Sequence, residues 1–127
     1  MYSHLRFENP AALPHEVAAE ALERALRDRS YEGEAASVLV GSALNDDDRE
    51  CVEHWCVQVG TRAVPGSPLL GLAGLCLGHT ARRFGHLSDE ALALAKSLAL
   101  RAEADPSDVD GRALDGFDDI RSFLHLW

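Results

Sequence analysis

Residues 67–85 read SPLLGLAGLCLGHTARRFG, and this stretch decides the fold. Apolar and small residues fill positions 69–78, so a helix here has no polar side to turn toward water. Such a helix is buried among other helices. Ser67 and Pro68 suit its first turn and Gly85 suits its C-terminal cap. Its small residues allow neighbouring backbones to come close, and they are Gly71, Ala73, Gly74 and Gly78.

Helical patterns continue on both sides of this stretch. Apolar spacing and cap residues predict further helices from residue 14, over 31–44, over 46–59, from 88 to a stop at 105–106, and from a capping box at 107–110 to residue 124. Ala and Leu are abundant, aromatic residues make up 6%, and no segment alternates with period two. We predict one all-α domain over residues 1–127, in which residues 1–13 form a less regular arm.

The second, fourth and sixth predicted helices share a loose repeat. It aligns the triplets that begin at Gly33, Gly71 and Gly111, which lie 38 and 40 residues apart. A period near 40 that contains two antiparallel helices is typical of stacked helical hairpins, because one hairpin cannot bury its apolar face alone.

Three motifs carry a family resemblance: GLAGLCLGH ending at His79, ARRFG ending at Gly85, and GRA at Gly111 followed by DDIRSF ending at Phe123. In these motifs the chain resembles the HEAT-like repeat family, and residues 67–123 look similar to small HEAT-like proteins of bacterial toxin–immunity loci. The resemblance implies a short right-handed superhelix of about three helical hairpins. It also implies a protein that neutralises a cognate toxin by binding it.

The charge balance restricts the partners. The chain has 21 acidic and 12 basic residues and a net charge of -9, which argues against nucleic acid and anionic membranes. It favours a basic protein partner, or it serves solubility alone. Three cysteines do not make a disulfide framework, the N-terminus lacks the apolar region of a signal peptide, and the apolar run at 69–77 is too short to span a bilayer. We expect a cytoplasmic protein with free cysteines.

Two groups of carboxylates and one aromatic residue are predicted to contact a partner. The first group follows the start of the third helix, the second shares a face of the last helix, and the residues are Asp46, Asp47, Asp48, Glu50, Glu53, Asp115, Asp118, Asp119 and Trp127. The first group is either a solvated helix cap or a docking patch for Lys and Arg. The second also lies at helical spacing from Arg112 and Arg121, so local ion pairs are a sufficient explanation for it.

Two C-x-x-H motifs leave a metal site open. Cys51 with His54, and Cys76 with His79, each place two zinc ligands on one helix face, and together they could form a Cys2His2 site. The alternative is that Cys76 packs in the core. A cysteine nucleophile is disfavoured, because the carboxylates near Cys51 would raise its pKa.

No phosphate-binding loop or catalytic motif is present in the sequence. We therefore expect a non-catalytic protein-binding module without a cofactor, monomeric when free, and most specifically an immunity protein. A generic HEAT-like scaffold and a small zinc-binding or thiol enzyme are the alternatives.

Overall fold

The computed structural model describes residues 10–126, and within them it is all-helical without a β-strand, as the sequence predicts. A short 3-10 turn at Arg29–Tyr31 joins the first two α-helices. The helices are α1 His15–Arg27, α2 Glu32–Asn45, α3 Arg49–Arg62, α4 Pro68–Phe84, α5 Asp89–Ala104 and α6 Arg112–Phe123. In the described part of the chain, none of them is both long and apolar enough to cross a membrane.

The predicted ends of α4 are confirmed. The Ser67 hydroxyl accepts a hydrogen bond from the Leu69 amide at 3.1 Å, Pro68 is the first helical residue, and Gly85 ends the helix with a φ of 67°. A positive φ of this kind suits glycine because a Cβ would be strained there. The predicted cap of α5 also forms, since the Ser88 hydroxyl accepts from the Ala91 amide.

Two predicted helix starts are wrong. α3 begins at Arg49 rather than at Asp46, because the Asp46 carboxylate binds the Asp48 amide in a turn and Asp48 then caps the helix. The capping box at 107–110 does not form. The Ser107 amide and hydroxyl both donate to Asp105, so residues 105–108 make a turn, and α6 starts only at Arg112.

The helices pack as three pairs and two layers. α1 pairs with α2, α3 with α4, and α5 with α6. The first layer contains α1, α3 and α5, and the second contains α2, α4 and α6, with contacts between successive members of each layer. α4 lies at the centre and contacts four other helices, which explains its apolar residues on every side. One continuous core includes residues from all six helices.

The closest approach is between α4 and α6. A Cβ added to Gly116 would lie 2.6 Å from the carbonyl carbon of Gly74 and 2.8 Å from the Cα of Leu75. A Cβ on Gly78 would lie 2.9 Å from the Cα of Gly116. The two backbones therefore touch, as the glycines of α4 predicted. Gly71 has a different role, because the Asp110 carboxylate occupies the space beside it.

Residues 10–14 form an irregular segment that packs across α2. The Asn45 side-chain amide donates to the Pro10 carbonyl at 2.6 Å, and the Ala11 carbonyl lies against Gly41. The rest of the predicted arm, residues 1–9, falls outside the described residues.

Candidate interaction surface at the helix N-termini

The helices of the first layer begin at one edge of the molecule. His15, the first residue of α1, places its Nε2 2.8 Å from Oδ2 of Asp46 in the loop before α3. The Ser88 amide at the start of α5 donates to both carboxylate oxygens of Glu53 on α3, each at 3.2 Å. These contacts bring the first turns of α1, α3 and α5 together.

Exposed carboxylates line this edge, and we call these residues the acidic edge. They lie in the first turns of the three helices or in the loop before α3, and they are Glu16, Asp47, Asp48, Glu50, Asp89 and Glu90. Negative side chains are favourable there because the N-terminus of a helix carries a partial positive charge. The positions are therefore stable without cationic partners, and the carboxylates face solvent.

Most arginines of the described residues are already paired with carboxylates, and few of these carboxylates belong to the acidic edge. Among residues 10–126, seven form ion pairs with carboxylates: Arg24, Arg29, Arg49, Arg62, Arg83, Arg101 and Arg112. Of these pairs, only Arg83 with Asp47 includes a residue of the acidic edge, at 3.3 Å and with a fully exposed Asp47 side chain, although Arg49 also lines a cleft there with Glu50 and Glu90. Such an exposed pair contributes little. Five of the six carboxylates of the acidic edge therefore have no arginine or lysine partner among residues 10–126.

The strongest of these pairs are bidentate. Arg62 binds both oxygens of Glu23 at 2.7 and 2.8 Å, and Arg101 binds Asp108 at the same distances. The hydrogen bond from each guanidinium lowers the pKa of its carboxylate below the ordinary value. These guanidinium groups are committed to holding α1 to α3 and α5 to the turn that follows it.

Two residues of the predicted acidic patch do not belong to the exposed surface. Glu53 is only 5% exposed, forms an ion pair with Arg49, and accepts the Ser88 amide, so the expectation that it is exposed was wrong. Asp46 is 11% exposed at its side chain and is bonded to His15 and to the Asp48 amide. Both residues hold the edge together, whereas Asp47, Asp48 and Glu50 are exposed as predicted.

Sequence reasoning missed three members of the acidic edge, namely Glu16, Asp89 and Glu90. The first turns that contain them were recognisable from the sequence. What could not be read was that these turns lie beside α3, because that depends on contacts such as the one between Ser88 and Glu53, 35 residues apart.

The α6 carboxylates lie away from this edge. Asp115 and Asp118 are exposed, and Asp118 borders a cleft with Glu103 near the C-terminal end of α5. The predicted pairing of Arg112 with this group is wrong. Arg112 instead binds both oxygens of Asp110 at 2.9 Å and donates to the Pro68 carbonyl. Trp127 lies outside the described residues.

An apolar groove runs along the outer side of the last helix pair. Its lining includes Leu92, Phe117 and Leu126, with the cationic side chains of Lys96 and Arg121. Lys96 is the single lysine of the sequence. The groove thus differs in charge from the acidic edge.

The two C-x-x-H motifs do not form one site in the described part of the chain. Cys76 is fully buried, as the core interpretation predicts, and burial raises the pKa of its thiol to about 12. His79 contacts Arg82 at 2.8 Å, and burial, followed by the charge of Arg82, lowers its pKa. His54 is exposed and packs edge-on against Trp55.

Cys51 has other neighbours than the sequence suggested. One donor atom of each of His15, Asp46 and Cys51 lies within 4.8 Å of the other two, and this is the only such group of potential metal ligands found in residues 10–126. Partial burial raises the pKa of the Cys51 thiol, and the carboxylates of Asp46 and Asp48 raise it further. The predicted direction of this shift is confirmed, with burial as the largest cause.

Comparison with known proteins gives no match: no family model matches the chain, and neither does any curated protein or solved structure. The resemblance to HEAT-like proteins accordingly stays a prediction.

Proposed function

We propose that the chain is a non-catalytic protein-binding module that docks a basic protein on its acidic edge. The observation that carries this proposal is the contrast between engaged arginines and exposed carboxylates. Among the described residues, seven arginines form ion pairs with carboxylates. In the same part of the chain, no arginine or lysine pairs with five exposed carboxylates of the acidic edge, which are Glu16, Asp48, Glu50, Asp89 and Glu90. A surface of this kind accelerates association with a basic partner and repels acidic ones.

The rigidity of the edge supports the same function. Five of its residues lie in or cap the first turns of three packed helices, and buried Glu53 fixes the start of α5 to α3. Carboxylates held in this way lose little backbone entropy when a partner binds. Asp47, Glu50 and Glu90 would supply charge, and Asp48 would supply charge while it caps α3.

The more specific form of the proposal is a cytoplasmic immunity protein with a HEAT-like superhelix of three hairpins. Its support is the resemblance of residues 67–123 together with the paired, two-layered packing of the helices. The acidic edge would cover the basic substrate-binding surface of a toxin and block it without chemistry. Asp115, Asp118, Asp119 and Trp127 would form a second contact with the same partner. The free protein would be a monomer.

The first test compares two charge-reversed variants as bait against a lysate of the source organism. The edge variant is Asp47→Lys, Glu50→Lys, Glu90→Lys, which leaves the caps of α3 and α5 intact. The comparison variant is Glu103→Lys, Asp115→Lys, Asp118→Lys, which makes the same change of charge at the proposed second contact, and we expect a smaller loss of binding there. We expect one basic protein, in equal amount, on the wild type, and binding weakened at least about 100-fold in the edge variant.

The comparison variant identifies the surface. Equal retention by the wild type and the edge variant would overturn the acidic edge as the docking site, and loss only in the comparison variant would assign docking to α6. Absence of any stoichiometric basic partner would contradict the proposed function itself.

Growth rescue then separates an immunity protein from a generic scaffold. The captured partner is expressed in a sensitive host with the wild type or with the edge variant. We expect growth with the wild type and arrest with the edge variant. A partner that does not harm the host would favour the scaffold.

A further inference from the structure

Three chain segments bring different metal-binding side chains to one place beside the acidic edge. His15 is the first residue of α1, Asp46 lies in the loop between α2 and α3, and Cys51 lies in the first turn of α3. One nitrogen, one carboxylate oxygen and the sulfur all lie within 4.8 Å of one another. A single ion with bonds of about 2.0 to 2.3 Å can reach all three after small side-chain movements.

We propose that His15, Asp46 and Cys51 form a binding site for a zinc-like divalent cation. A thiolate, an imidazole and a carboxylate together favour a borderline-soft ion such as Zn²⁺ or Co²⁺, whereas Mg²⁺ and Ca²⁺ prefer oxygen ligands alone. Three protein ligands leave one position of a tetrahedral ion for water or for a side chain of a partner. Catalytic zinc sites keep a position of this kind open for water or substrate. In a binding protein, the same open position can take a side chain of the partner, so that the ion bridges the two proteins.

The surrounding hydrogen bonds hold the ligands in place. Oδ1 of Asp46 accepts the Asp48 amide at 2.8 Å, which leaves Oδ2 directed at Nε2 of His15, also at 2.8 Å. Arg83 of α4 donates to the Asp46 carbonyl at 2.8 Å and so holds the loop between α2 and α3 against α4. The Cys51 amide is bound to the Asp48 carboxylate at 3.1 Å. Two of the three ligands thus lie on a backbone that is already ordered.

Local charge favours a cation here over a reactive thiol. Asp47, Asp48 and Glu50 lie within a few residues of Cys51 along the chain, and all three are exposed carboxylates. Their field opposes an isolated thiolate, which disfavours cysteine catalysis, but it attracts a divalent ion that would itself stabilise the thiolate. The negative charge around Cys51 therefore favours the role of a metal ligand for this residue over that of a catalytic nucleophile.

Bound metal would join the first helix pair to the second. His15 belongs to α1 and Cys51 belongs to α3, so an ion bound by both would cross-link these two helices of the first layer close to the acidic edge. The ligand set also differs from the two C-x-x-H motifs, because it replaces His54, Cys76 and His79 by side chains that are distant in sequence.

Cobalt titration of the chelator-treated full chain tests the site, since Co²⁺ bound to a thiolate gives a charge-transfer absorption band. We expect this band to saturate at one equivalent and to vanish in Cys51→Ser. Asp46→Asn, which retains the turn, and His15→Ala should weaken binding at least about tenfold. His54→Ala is the matched control and should bind as the wild type does. Zn²⁺ should raise the unfolding temperature of the wild type and of His54→Ala only.

Several results would overturn the proposal. One is the absence of a thiolate band at stoichiometric Co²⁺ in a protein whose circular dichroism shows that it is folded. Another is a band that survives Cys51→Ser, or one that is lost in His54→Ala and His79→Ala, which would return the site to the C-x-x-H motifs. The partner-binding variant leaves all three ligands in place, so the two proposals can fail separately.

Discussion

The two helix layers are built from different contacts. In the layer of α2, α4 and α6, the backbone of α6 rests directly on that of α4 at Gly116. In the layer of α1, α3 and α5, a Cβ on Gly60 would first meet the ends of the flexible side chains of Leu94 and Leu98, with the Cβ of Ala73 at an ordinary 3.4 Å. Polar contacts join the helix starts of this layer. The second layer should accordingly be sensitive to added volume and the first to lost charge.

The largest effect is expected where the backbones touch. Gly116→Ala would place a Cβ against the backbone carbonyl of Gly74. Because backbone atoms cannot rotate away as a side chain can, the clash is relieved only if one helix moves as a whole. Overpacking costs about 1 to 3 kcal/mol or more, and alanine returns up to about 1 kcal/mol of helix propensity. We expect a net loss of about 2 kcal/mol, and more where the helices cannot shift, measured by urea unfolding.

Gly60→Ala is the matched control in the first layer. Its nearest neighbours are side-chain methyl groups at 2.8 and 3.2 Å, which can rotate away. We expect a change within about 1 kcal/mol of the wild type. Equal losses in both variants would refute the contrast between the two layers.

The next effect comes from charge in the first layer. Glu53→Ala would leave Arg49 and the Ser88 amide without their partner in a nearly buried place. Because Arg49 remains 25% exposed at its side chain and can turn to water, we expect a loss of about 2 kcal/mol rather than that of a fully buried pair.

The control for Glu53 is its neighbour on the same helix. Glu50→Ala removes an exposed carboxylate and should change the free energy of unfolding by less than about 0.5 kcal/mol. Urea unfolding of both variants decides the matter. Similar values for the two would mean that the ion pair of Glu53 does not stabilise the first layer.

The second layer was largely predictable because its signals are local. The apolar run at 69–78 and its glycines indicate a central helix with close neighbours, and that is where α4 lies. Ser67, Gly85 and Ser88 gave the correct helix ends for the same reason. The capping box at 107–110 failed because Ser107 bonds backward to Asp105, a competition that the motif alone does not reveal.

The candidate site was less predictable because long-range pairs define it. Spacing along the third helix could not tell Glu53, which faces α5, from Glu50, which faces solvent. The proximity of His15 to Asp46 spans 31 residues, and it determines which side chains surround Cys51. The types of residue at the edge were readable in the sequence, but their partners required the fold.

An ion pair also lies at the contact between α4 and α6, between Asp110 and Arg112. The Asp110 carboxylate fits beside Gly71 only because that residue lacks a Cβ. It binds the Arg112 side chain at 2.9 Å and the Arg112 amide at 3.0 Å. The guanidinium hydrogen bond is the largest cause that lowers the pKa of Asp110 below its ordinary value, with burial acting against it. An ion pair therefore adds to the stability of the second layer near the start of α6.

The smallest expected effect is the pH dependence that Asp110 confers. A lowered pKa in the folded state gives stability that is present above the unfolded pKa, about 4, and lost as the pH falls through the folded value. Asp110→Asn should therefore destabilise the protein at pH 7, and the difference from the wild type should shrink below about pH 4. In an Arg112→Met background the difference should be smaller at pH 7, since only the amide then donates. Thermal unfolding across this range measures both, and a difference that stays constant with pH would show that the carboxylate charge adds nothing to this contact.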